Sequence, residues 1–203
     1  MAQQERGKRS RRSILEAAAQ VFDERGYDAA STNEILARTG LTRGSLYHHF
    51  PSKEAIALAL VQAHAEALEA PEHPVRLQSV IDLTLMFARR LQHDPVLRAS
   101  VRLSIEQTSF AYPPQAAYEQ SSETILALFQ EAEKRDELLP GVDVHEATAT
   151  VVGSFTGLQI MSQVYSARVD LPERISVFWK FLLPGLATPG LISRLRTTPM
   201  PAE

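Results

Sequence analysis

The placement of proline constrains this sequence more than any other feature. Pro51 is the only proline before residue 71. The others stand at Pro71, Pro74, Pro95, Pro113, Pro114, Pro140, Pro172, Pro184, Pro189, Pro199 and Pro201. A proline ring removes a backbone donor and clashes inside a helix, but first turns and loops accept it. The proline-free stretches are long enough for helices, and their apolar residues recur at helical spacing. No stretch alternates strictly between apolar and polar, and glycine-rich turns are few. The chain reads as all-α, with about nine or ten helices.

Ile14, Ala18, Val21 and Phe22 form one apolar stripe, which predicts a first helix over 8–25 stopped by Gly26. Ser31 or Thr32 caps the next, and Ser31-x-x-Glu34 fits a capping box. That helix, over 33–39, buries Ile35 and Leu36 and ends at Gly40. Thr42 caps a third over 43–50, and Ser52 a fourth over 53–69. Longer helices are expected at 75–92, 95–108, 114–136, 143–168 and 172–183, with a short one at 189–196. The 143–168 helix is apolar on more than one face, through Val144, Val151, Val152, Phe155, Ile160, Met161 and Val164. Such a helix is buried in a core or an interface. Ile175, Phe178, Trp179, Leu182 and Leu183 make a second wide stripe, so the two C-terminal helices predict a dimer surface.

Charge is distributed unevenly. Residues 1–55 carry nine Lys/Arg and seven Asp/Glu, while residues 56–203 carry twelve and seventeen. Arg6, Lys8, Arg9, Arg11 and Arg12 stand against Glu5 alone at the front. A basic front on an acidic body suits a polyanionic partner or a solvated tail. The absence of cysteine excludes disulfides, thiolate metal sites and cysteine nucleophiles. Apolar runs fall short of the ~18 residues that span a bilayer, and residues 1–12 lack a leader's apolar region. The expectation is a cytoplasmic protein with no membrane partner.

The turn Thr39-Gly40-Leu41-Thr42 joins two short helices in a helix-turn-helix pattern. Leu41, Leu46 and Phe50 face inward, which leaves Arg43, Gly44, Ser45, Tyr47 and His48 outward. That set suits the major groove of double-stranded DNA. Arg43 matches guanine O6 and N7, and Gly44 permits close backbone approach. The hydroxyls of Thr42 and Tyr47, with Ser31, Thr32 and Lys53 at neighbouring helix starts, suit phosphates. Arg6, Arg9 and Arg11 in the basic arm suit the backbone or the minor groove. His48 and His49 point about 100° apart on a helix and do not make a metal pair. Tyr27 reads as packing between the first two helices. No catalytic triad order, P-loop, HExxH or phosphate loop is present, so no enzyme and no cofactor is expected.

Asp23-Glu24-Arg25-Gly26-Tyr27, Ser31-Thr32-Asn33-Glu34-Ile35 and the run from Gly40 to Glu54 resemble the DNA-binding domain of TetR-family transcriptional regulators, almost continuously over 8–65. The resemblance implies a homodimer of all-helical subunits. Each has a three-helix DNA reader at 1–52, and a ligand-binding and dimerisation domain at 53–203. The segments 94–103, 153–159 and 182–186 resemble the γ-butyrolactone (autoregulator) receptor branch. This implies a repressor released from a near-palindromic operator by a small lipophilic signal. His48 stands where that branch often has phenylalanine. The helix at 114–136 lacks the branch's usual tryptophan, and Tyr118, Ser121 and Ser122 occupy the region. That departure admits a butenolide or furan-like signal, or an antibiotic or its precursor.

By this resemblance His64 faces the pocket floor; it equally suits a surface position. Leu85, Tyr118, Ser122, Phe155, Thr156 and Gln159 complete the candidate pocket. Thr156 alternatively bonds back to its own helix, and Gln159 alternatively crosses the dimer interface. Trp179 reads as core or interface, and Arg102 with Glu106 as an i, i+4 pair. Two rivals stand beside this reading. One is a TetR-type sensor of a multidrug-like cation, using Glu106 and Tyr118. The other is a helical small-molecule-binding protein with no role at DNA.

Overall fold

The computed structural model describes residues 2–65, 69–105 and 114–198. Among these the chain is helical, without a strand: α1 (Ala2–Ala29), α2 (Thr32–Thr39), α3 (Arg43–His49), α4 (Lys53–Ala65), α5 (Arg76–His93), α6 (Pro95–Ile105), α7 (Pro114–Lys134), α8 (Val144–Ser166), α9 (Leu171–Leu182), a 3₁₀ turn (Leu183–Gly185) and α10 (Pro189–Ile192). Packing divides them into two compact units. The first holds Met1–Ala67 and Asp94–Ala117; the second holds Leu68–His93 and Tyr118–Glu203.

The first unit closes around the stripe on α1. Ile14, Ala18, Val21 and Phe22 pack with Ile35 of α2, Leu46 of α3, Phe50, Ile56 and Leu60 of α4, and Ala99 and Leu103 of α6. Phe22 and Ile14 are fully buried, each worth roughly 1.5–3 kcal/mol. α6 is fastened to α1 by charge as well. Arg98 Nε lies 2.7 Å from Asp23 Oδ2, and Arg102 donates to the Asp23 carbonyl. Thus α4 and α6 fold with α1–α3, and the packing boundary does not fall at 52/53.

Local chemistry sets the helix ends. α1 starts at Ala2, six residues before the expected Lys8, so the basic arm is helical and not an extended strand of chain. The pairs Glu5–Lys8 (3.7 Å) and Arg12–Glu16 (2.8 Å) stabilise those turns, and no proline interrupts them. Gly26, at φ 75°, breaks the helix where the sequence placed a stop, but one more turn follows to Ala29. Ser31 and Glu34 form the expected reciprocal capping box, and Gly40 closes α2 in the left-handed region at φ 65°. Thr42 caps α3, and Ser52 Oγ accepts the Ala55 N–H at the start of α4. The expected continuation of α4 to 69 reaches positions outside the described residues, as does that of α6 to 108.

The second unit is built on α5 and α9. Trp179 is fully buried, and its Nε1 donates to Thr84 Oγ1 at 2.8 Å. Glu137, nearly buried, accepts the N–H groups of Arg76 and Leu77 at 3.0 and 2.8 Å, so its carboxylate caps α5. α7 ends at Lys134, short of 136, and Asp136 stands at φ 54° in the turn that follows. α10 spans only Pro189–Ile192, not 189–196. Past it, the Gln78 side-chain amide pairs with both backbone groups of Arg196 and fixes the chain in a non-helical path. Inside one protomer α8 is not covered all round. Ile160, Met161, Val164 and Tyr165 stay exposed, as do Val177 and Phe181 of α9, with Phe181 at 83%.

Candidate nucleic-acid interface and sensor core

The α2–α3 pair is held from inside and open outside. Leu46 and Phe50 are buried with Ile35, and Leu36 and Leu41 pack against the same cluster. On the other face Thr42, Arg43, Gly44, Tyr47 and His48 are exposed, and Ser45 is half-buried. The expected outward set is therefore brought together on one face. Thr42 Oγ1 accepts the Ser45 N–H at 3.2 Å and keeps its own proton to donate. The Arg43 guanidinium lies over the Tyr47 ring, 5.7 Å from its centroid. Tyr47 Oη lies 3.3 Å from Thr32 Oγ1, across from α3 to α2. The Thr32 hydrogen bond, then Arg43, lower the Tyr47 phenol pKa from its ordinary value.

Two expected phosphate donors are committed elsewhere. Lys53 Nζ donates to the carbonyls of Tyr27 (2.9 Å) and Ala30 (3.1 Å), with Asp28 at 3.5 Å, and sits 4.3 Å from the Tyr27 ring centroid. It closes the carbonyl end of α1, a task the sequence did not reveal because its acceptors lie over twenty residues away. Ser31 Oγ accepts the Glu34 N–H and pairs with the Glu34 carboxylate, so its hydroxyl serves the cap. Tyr27 is packed as expected, 1% exposed and 5.8 Å from Phe22. Burial, then Glu54, raise its phenol pKa. In the arm, Arg11 lies over the Phe50 ring at 5.1 Å, at the end of α3. Arg6 and Arg9 are exposed with no ion pair among the described residues. The His48 and His49 rings meet edge-on at 5.3 Å.

Among the pocket candidates, Phe155 of α8 meets Phe87 of α5 edge-on at 5.4 Å. Leu85 is 3% exposed. Thr156 Oγ1 donates to Val152 O at 2.9 Å, the alternative that the sequence left open, so its proton is used within its own helix. Gln159 is 3% exposed, and its Oε1 has no partner among the described residues. Tyr118 and Ser122 are half-buried on α7, and no hydrogen bond joins them to these residues among those described. The His64 side chain and all of Glu106 lie outside the described residues.

A groove of about 680 Å³ runs between α8 and α9, lined by Ser154, Gly157, Leu158, Met161, Val177, Phe178 and Phe181, with Asp170, Glu173 and Arg174 at its rim. None of the six described pocket candidates lines it. At one end Ser162 and Ser166 donate to Asp170 Oδ1 at 2.5 and 2.6 Å, and Arg174 Nε to Oδ2 at 2.7 Å. The two serine bonds, then Arg174, hold the Asp170 carboxyl down at about 2. This cluster was not anticipated, although its i, i+4 spacing (162, 166, 170, 174) is visible in the sequence.

Residues 14–60 match the family of bacterial regulatory proteins, tetR family, and residues 75–188 match the tetracyclin repressor-like C-terminal domain. The chain is 39% identical over 197 residues to the A-factor receptor protein of Streptomyces griseus, which is 97% of this chain and 70% of that protein. The crystal structure of full-length native TylP, a TetR regulator from Streptomyces fradiae, is similar at TM-score 0.85 and 38% identity, covering 95% of this chain and 93% of that one. A γ-butyrolactone receptor (ArpA-like protein) is similar at TM-score 0.74 and 26% identity, covering 93% of each.

Proposed function

This chain belongs to the tetR family of bacterial regulatory proteins, and from that premise we propose a homodimeric transcriptional repressor released from its operator by a small lipophilic signal. Residues 1–52 read the DNA, and residues 53–203 hold the signal and the dimer contact. The observation that carries the DNA half is the outward face of α3. Arg43, Gly44, Tyr47 and His48 are exposed together while Leu46 and Phe50 lock the opposite face. Two such helices, one per subunit, enter successive major grooves about one turn apart on a near-palindrome.

The exposed apolar face of α8 and α9 supports the dimer. A Cβ built at Gly153 or Gly157 would meet nothing within 4 Å, which leaves room for a partner helix to approach closely. The likeness to the A-factor receptor protein and to a γ-butyrolactone receptor supports a γ-butyrolactone, butenolide or furan-like signal. Buried Gln159, whose Oε1 has no partner among the described residues, supports a polar anchor in an otherwise apolar helix. The signal acts by favouring a state whose heads no longer match the half-site spacing. The absence of tryptophan from α7 favours, as a second reading, an antibiotic-like ligand.

The test is a gel shift with duplex selected by the protein, repeated with synthetic γ-butyrolactone, butenolide and furan ligands. A salt-sensitive, sequence-specific complex dissolved by one of these classes is expected. No specific complex sinks the repressor reading; a complex that none of the three dissolves sinks the signal class.

A further inference from the structure

We propose that Thr32 is a positioning residue for operator binding: its hydroxyl orients the Tyr47 phenol, and Tyr47, with Arg43 on its ring, is the group that reaches the DNA. This rests on the DNA-binding reading and adds an order of action between Thr32 and Tyr47, both of which the sequence assigns to phosphates.

The argument is one of hydroxyl groups and their protons. Besides half-buried Ser45, four hydroxyls stand at the starts of α2 and α3 or on α3 itself. Ser31 is tied to Glu34. Thr42 holds the first turn of α3. Thr32 is half-buried and meets Tyr47 Oη at 3.3 Å. Tyr47 is 38% exposed and faces outward. Thr32 has a single proton. Given to Tyr47 Oη, it leaves the phenolic proton free for a phosphate oxygen. Given to a phosphate instead, it leaves Tyr47 as the donor to Thr32 Oγ1, because either oxygen can donate in this pair. Arg43, one turn before Tyr47, covers the ring at 5.7 Å and restrains it from the other side. The lowered phenol pKa agrees in direction with donors from Thr32 and Arg43 aimed at the phenol oxygen. A side chain held in its binding rotamer before DNA arrives loses less entropy on contact. The hydrogen bond links α2 to α3 across 15 residues, so it also fixes the angle at which α3 presents its outward face.

The test is a double-mutant cycle on the full-length protein, with a duplex selected by the wild type from a random pool and affinity read by fluorescence anisotropy. Thr32→Val and Tyr47→Phe should each weaken binding about 5- to 10-fold per half-site, the usual size for one hydrogen bond. The double variant should bind no more weakly than Tyr47→Phe alone, and Thr32→Ser should restore wild-type affinity. The slope of log Kd against log salt should stay unchanged in Thr32→Val, because Thr32 brings no charge to a phosphate. If Thr32→Val lowers the melting temperature, Thr32→Ala replaces it in the cycle. Losses that multiply in the double variant would mean that Thr32 touches DNA itself and overturn the proposal, as would wild-type affinity in Thr32→Val. A wild type that selects no duplex would instead remove the DNA-binding reading beneath it.

Discussion

At the scale of single residues, position in space separates side chains that look alike in sequence. Arg43 and Lys53 are both cations at the start of a helix. Arg43 is exposed, stacked on Tyr47 and free to reach a base edge. Lys53 is enclosed by the carbonyls that end α1. Arg43→Ala should therefore cost about 1–3 kcal/mol of operator binding and relax specificity at one position, read by comparing single-base variants of the selected duplex. Lys53→Met should instead cost about 1 kcal/mol of folding stability, read by urea titration, because the part-buried carbonyls of Tyr27 and Ala30 lose their donor. A fall of about one in the salt slope of Lys53→Met would return it to the phosphate contacts.

At the scale of elements, caps determine where helices begin. Ser31 and Glu34 hold each other and the first turn of α2, so Ser31→Ala should destabilise the protein by about 1 kcal/mol with the fold retained, checked by thermal unfolding. The joint between α8 and α9 depends on one carboxylate. Asp170 titrates at about 2, below its ordinary value of 3.8, because Ser162, Ser166 and Arg174 all donate to it. A depressed folded pKa gives stability that is fully present above the unfolded value and is lost as pH falls from about 4 towards 2. Thermal midpoints should thus drop over that range in the wild type and drop less in Asp170→Asn. Equal slopes in the two proteins would show that the hydrogen bonds do not favour the charged form.

For the whole molecule, the decisive feature is apolar surface that one protomer cannot cover. Val164, Tyr165, Val169 and Phe181 are each more than 70% exposed. Phe181→Asp should produce monomers by sedimentation velocity and, with one head per particle, reduce operator affinity by a factor of 100 or more, on the order of ~3 kcal/mol. A dimer of unchanged strength would move the interface elsewhere. The sequence by itself determined the helical class, the helix-turn-helix, the caps at Ser31, Gly40 and Thr42, and the outward set on α3. Each depends on neighbours within about four residues, where spacing and residue type suffice. Only the tertiary structure decided that α6 joins the first unit through Asp23 and that Lys53 closes α1. Likewise it alone revealed that Thr32 meets Tyr47 and that the buried Gln159 oxygen has no partner among the described residues. The physical reason is distance along the chain. A hydrogen bond or ion pair between residues 15 to 75 apart exists only after the core has brought their helices together, and no local pattern encodes which donor meets which acceptor.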